Sequence, residues 1–229
     1  MAPQPQDRDR ILPALLYFFT AVTGLVDAVS FIGLGHIFTA NMTGNVVFLG
    51  FASAGVPGLS VRRSLVALAA FLVGALIGGV IATYKAPIST HRWTTIAFGI
   101  ETLLLLAATL ASIGYRSSSS DSSRVYALIV LTAMAMGVRN ATVRKIALPD
   151  LTTTVLTLTI TGLAADSSFA GGTNPRWQRR MASVLLMFAG AAFGALLLKH
   201  SLALPLAVAT LSSLCGATIL RMRPAGGTA

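Results

Sequence analysis

Charge is the scarcest commodity in this chain of 229 residues: 10% of positions are charged, and only seven of those are acidic. A water-soluble domain carries roughly a quarter charged residues to solvate its surface, so a soluble fold is excluded. Cysteine occurs once, at Cys215 within an apolar run, which rules out an intrachain disulfide. Stretches alternating with period two are absent, which argues against a β-barrel. HExxH, GxSxG, P-loop and CxxC motifs are missing as well, so there is no signal for hydrolysis, ATP use or redox catalysis. The three histidines, His36, His91 and His200, lie in or beside expected loops and do not face one another, so no haem, metal or other cofactor is expected.

What is present is hydrophobicity. Apolar residues make up 55% of the chain and the mean hydropathy is +0.78. Runs at 11–31, 64–84, 93–115, 125–143, 181–198 and 201–220 each have about 20 residues, the length that crosses a bilayer core. Inside hydrocarbon the backbone must satisfy itself, so these runs are helices. Two shorter and more polar runs, 37–56 and 151–169, complete an all-α, polytopic transmembrane bundle that forms a single membrane domain over 1–229.

The bundle reads as two internal repeats, 11–115 and 125–222, joined by the serine-rich connector 116–124. At a shift of 113 positions Gly24 falls on Gly137, Asp27 on Asn140, Ala28 on Ala141 and Thr39 on Thr152; at a shift of 116, Gly74–Gly78 falls on Gly190–Gly194. We expect four helices per repeat, the second short and polar, with all eight crossing. The alternative is three spans per repeat, the short segments re-entering from one side. Eight spans make the repeats parallel; six make them inverted. Either way, most of the seventeen Lys and Arg residues fall on the side of the termini, eleven with eight spans and twelve with six. Positive charge accumulates on the cytoplasmic side, so both termini are expected there. The net charge of +10 sits in pairs at helix ends without interleaved aromatics, so nucleic acid is not an expected partner.

Small-residue pairs at Gly74/Gly78 and Gly190/Gly194 permit close helix approach. The repeat axis is their expected meeting place, and a homodimer seam their second use. Trp93, Tyr115 and Trp177 at run ends suit the headgroup region.

Polar residues inside the runs carry whatever chemistry exists, because a charge at the bilayer centre costs about 2.5–3.5 kcal/mol or more and is seldom placed there idly. Asp27 and Glu101 are such acids, and Arg139, beside Asn140, is the expected partner of Asp27 in a gate. Glu101 has no base within four positions on its own helix and is a candidate proton carrier. Asn41, Thr43 and Asn45 in one short segment, with Thr153 and Thr157 in the other and Asn140, offer donors and acceptors for a small polar solute or ion. The plain alternative is hydrogen bonding between helices, at about 0.6 kcal/mol per contact. The pattern points to a small secondary transporter, with a non-transporting scaffold or lipid-interacting protein as the rival.

The stretches GLVDAVSF–GHIFTANMTGN (24–45) and GVRNATVRK–PDLTTTVLTLTITGLAAD (137–166) resemble the YoaK-like bacterial membrane proteins, and the likeness extends over almost the whole chain. The resemblance implies a polytopic protein of the bacterial inner membrane and carries no activity with it.

Overall fold

The computed structural model describes residues 5–85, 90–115, 122–146 and 156–222. Eight α-helices follow in order: α1 Pro5–Ala28, α2 Met42–Ser53, α3 Val61–Lys85, α4 Thr90–Ser112, α5 Ser122–Ile146, α6 Thr157–Ala165, α7 Trp177–Leu198 and α8 Ala203–Arg221. No strand occurs among the described residues. One π-helical turn, Val29–Gly33, extends α1, and a 3-10 turn, Ser168–Ala170, follows α6.

Six of these helices are long and apolar enough to cross a membrane; α2 is not. At 1.5 Å per residue its twelve residues rise about 18 Å and the nine of α6 about 13 Å, well short of a ~30 Å hydrocarbon core. Six helices thus have the length of a span, the number in the alternative of three spans per repeat. Local sequence explains the shortening of α2. Asn41 accepts the Gly44 amide at 3.3 Å and starts the helix late. After Ser53 the chain enters AGVPGLS, where Gly55 and Gly58 take φ of 83° and 80°, until the Ser60 hydroxyl accepts the Arg63 amide at 3.3 Å and opens α3.

The first helix of each half packs on the third helix of the other: α1 lies along α7, and α5 along α3, while α4 packs against α8 and α5. The glycine pairs make this possible, though they do not meet each other. A Cβ on Gly78 would stand 2.9 Å from the Val138 carbonyl oxygen of α5, and one on Gly194 2.9 Å from the Leu25 oxygen of α1. In the reverse direction, a Cβ on Gly137 would meet the Ala75 nitrogen at 2.7 Å and one on Gly24 the Ala191 nitrogen at 2.9 Å. Leu25 and Val138 are related by the shift of 113, Ala75 and Ala191 by 116. The small-residue faces are thus filled by helices of the same chain.

Burial sorts the spans into inner and outer ones. Two thirds of the α1 span is buried but only 28% of α3 and 17% of α7, which leave Leu72, Leu76, Leu185 and Phe188 exposed for lipid. The α4–α8 seam is fastened by hydroxyls: Thr102 donates to Ser213 at 3.0 Å, and Thr109 pairs with Thr210 at 2.9 Å. Trp93, expected at the headgroups, is only 4% exposed, whereas Trp177 is half-exposed.

Candidate functional site

An ion pair occupies the middle of the bundle. Glu101 sits near the midpoint of the α4 span and Arg139 on the inner face of α5, both with fully buried side chains. Nε of Arg139 donates to Glu101 Oε1 at 3.1 Å, and Nη2 donates to the same oxygen. Nη1 reaches toward the Phe19 carbonyl and the Thr23 hydroxyl of α1, each at 3.4 Å. The guanidinium lies over the Phe19 ring at 4.9 Å, and that ring stacks on Phe98 at 4.5 Å. Three helices from both halves therefore hold one cation. The other carboxylate oxygen, Oε2, is buried without a hydrogen-bond partner among the described residues.

This differs from the expected pairing of Asp27 with Arg139. Arg139 meets Glu101 instead, so Glu101, expected to stand alone, has a charged partner. At the shift of 113 Arg139 falls on Val26, so the arginine has no counterpart in the first half.

Asp27 stands in the last turn of α1, just before the π-helical turn. The backbone N–H groups of Ala40 and Asn41 face its carboxyl group, while Oδ1 has no partner. The residue is partly exposed. The chain reaches it by folding back after Gly35 (φ 94°) and His36 (φ 59°).

The asparagines of the first short segment serve that fold-back. Asn45 is fully buried; its Oδ1 accepts the Phe38 amide at 2.8 Å and its Nδ2 donates to the Phe38 carbonyl. Such a reciprocal pair replaces a strand-like partner for an otherwise unsatisfied loop backbone. Asn41 is the α2 cap described above, and Thr43 is exposed. Asn140 is half-buried and donates to the Met136 carbonyl at 2.8 Å. Thr157 is exposed at the start of α6, where Thr159 is the buried threonine; Thr153 lies outside the described residues. Among the described residues α2 packs on α3 and α6 on α7.

Two features escaped that reading. Phe31, Phe38 and Phe48 form an aromatic cluster, with centroids 5.4–6.1 Å apart, that joins the end of α1 to the fold-back and α2. Arg180 of α7 donates to the Gly162 carbonyl at 2.6 Å and to Asp166 Oδ2 at 2.7 Å, pinning the end of α6. The phenylalanines read as generic membrane residues, and Arg180 as one more basic residue at a helix end.

A family described as a protein of unknown function, DUF1275, matches residues 15–219. The chain belongs to this family. The UPF0700 transmembrane protein YoaK of Bacillus subtilis (strain 168) is 32% identical over 154 residues, covering 67% of this chain and 66% of that protein. The chain thus matches just under two thirds of that relative's length. No solved structure matches. Family and helices together make this a multi-pass membrane protein.

Proposed function

We propose that the protein is a small secondary transporter for a small polar or ionic solute, built from two inverted repeats, with its site at the Glu101–Arg139 pair between them. The observation that carries this reading is the pair itself: two opposite charges fully buried within membrane spans, Glu101 near the middle of its own, with one carboxylate oxygen left without a partner among the described residues. Removing ions from water costs several kcal/mol each even after relaxation, and apolar replacements of such pairs are often as stable or more so. Ionisable residues at membrane depth mark solute pathways and proton relays.

The arrangement of helices supports inversion. With six spans, α1 and α5 enter from opposite faces, and equivalent glycines make equivalent approaches across the interface of the halves. In transporters of this kind the halves rock about a site near the midplane. Glu101 and Arg139 then serve as the gate and the proton-coupling pair. Asp27, with the amides of Ala40 and Asn41, guards one mouth. Asn140, with Thr157, belongs to the opposite mouth; Asn41, Thr43 and Asn45 shape the first. Both termini are cytoplasmic in this reading, in the inner membrane.

Full burial of the pair favours a second reading, in which Glu101 and Arg139 are a fixed lock and the protein a scaffold. Flux through proteoliposomes of the full chain separates the two. Net uptake down an imposed solute gradient, present in the wild type, should be lost in Glu101→Gln; net uptake of the same solute undiminished in that variant removes the pair from transport.

A further inference from the structure

We propose that the transported solute is a small monoanion that binds Arg139 in place of Glu101 and moves together with one proton carried on Glu101. The inference rests on the transporter reading above and supplies its solute class and coupling.

Both charged side chains are fully buried, so charge must stay balanced within the site. Among the described residues, Arg139 is the charged group that meets Glu101. The other helices against α4 bring no further charge to it: α8 offers the hydroxyls of Thr210 and Ser213 to its neighbours Thr109 and Thr102, and α3 carries its charges, Arg62, Arg63 and Lys85, at its ends. From α1 come the Phe19 carbonyl, the Phe19 ring and the Thr23 hydroxyl. Asp27, one turn beyond Thr23 on α1, takes the Ala40 and Asn41 amides rather than Arg139, and Arg221 stands in the last turn of α8, so within the contacts of the pair one positive charge balances one negative charge.

The two partners differ in what they can give up. A guanidinium keeps its proton throughout the range of protein chemistry, whereas a carboxylate can accept one. A cationic solute that drew Glu101 away would leave Arg139 as an uncompensated buried charge, and the site would hold an excess of one positive charge. An anionic solute leaves no such excess, provided Glu101 is protonated as it arrives. Glu101 Oε2 is the place for that proton, since it is buried and makes no bond that protonation would break.

The cycle balances. A proton binds Oε2, the bonds from Nε and Nη2 of Arg139 to Oε1 are released, and the anion accepts both. Planar two-point donation from an arginine suits a carboxylate, nitrate or sulfonate. After the halves rock, the anion leaves, the proton follows, and the ion pair closes again. One proton and one negative charge have crossed, with no net charge moved.

The test uses the full-length protein in proteoliposomes containing a pH-sensitive dye. Inward gradients of chloride, nitrate, methanesulfonate or gluconate are imposed, with radiolabelled sodium, choline, glycine and sorbitol as the other classes. The expected result is lumenal acidification with at least one monoanion, unaltered when valinomycin and potassium clamp the voltage and faster at lower external pH. Glu101→Gln should slow this proton-coupled uptake at least tenfold while retaining anion-for-anion exchange. Should that variant fail to fold, Glu101→Asp keeps a titratable group, and its flux should be slower but still proton-coupled. Movement of a cation or neutral solute, with none of the anions moving, overturns the monoanion inference and leaves the transporter reading standing. Anion flux that ignores the proton gradient overturns it as well. If no solute of any class moves, both fail.

Discussion

Replacing either member of the Glu101–Arg139 pair leaves the other charged and buried, and the structure allows the cost to be sized. In Glu101→Gln the guanidinium loses the oxygen that accepts both Nε and Nη2. What remains to it is the Phe19 carbonyl and the Thr23 hydroxyl at 3.4 Å, and the Phe19 face. Those contacts are long and neutral, so they recover little. Breaking a buried pair from one side costs about 3–5 kcal/mol. Arg139→Gln strands the carboxylate, which can escape part of that cost by taking a proton, so we place it at the lower end of the same range. The double variant strands neither charge and should fall within about 1–2 kcal/mol of the wild type, giving a coupling energy of about 3 kcal/mol or more by a double-mutant cycle. Reversible unfolding in mixed detergent micelles, followed by far-UV circular dichroism, reads all four proteins. Single variants each costing less than about 1 kcal/mol, or a double variant equal to their sum, would refute the view that the two charges depend on one another.

The packing between the halves gives a prediction with opposite signs on α3 and α7: Gly190→Ala, whose Cβ would stand 2.6 Å from the Ala21 carbonyl carbon, should destabilise by about 1–3 kcal/mol or more. Gly79→Ala, which faces open space, should stabilise by about 0.5–1 kcal/mol, both read in the same unfolding assay. Asn45→Ala orphans the Phe38 amide and carbonyl and should cost about 1–3 kcal/mol, with faster hydrogen exchange over residues 34–41; the exposed Thr43→Ala should stay within about 0.5 kcal/mol of wild type. In a Cys215→Ser background, cysteines at Gly55 and Ser167 should label with an impermeant reagent from opposite faces of the membrane, as six spans require; labelling from one shared face would support eight.

How far the sequence carried this picture depended on whether the signal was local. The six spans are legible because length and hydropathy are properties of a single segment, and both survive any rearrangement of neighbours. The two short helices are less so: an apolar run across 37–56 hides a fold-back that only the Asn41 cap and the Asn45–Phe38 bonds reveal. The glycine pairs announce close approach but not the partner, which is the first helix of the other half. Arg139 shows why site geometry lay further out of reach. Sequence equivalence places it beside the counterpart of Asp27, yet its side chain projects from α5 toward α4, and which acid it meets is decided by how the helices pack. Phe19, which supplies the guanidinium with both a carbonyl and a ring, is one phenylalanine among eleven in the chain.

The most direct test of a site that opens to each side in turn is the accessibility of Thr23, whose fully buried hydroxyl lies 3.4 Å from Arg139. In a Cys215→Ser background, Thr23→Cys should react with a membrane-impermeant thiol reagent from both faces of the bilayer, in intact cells and in inverted vesicles, and a solute that is carried should slow the reaction. Complete protection from both faces, in protein that reacts once unfolded, would show the Glu101–Arg139 pair to be a permanent seal and would contradict the transporter account.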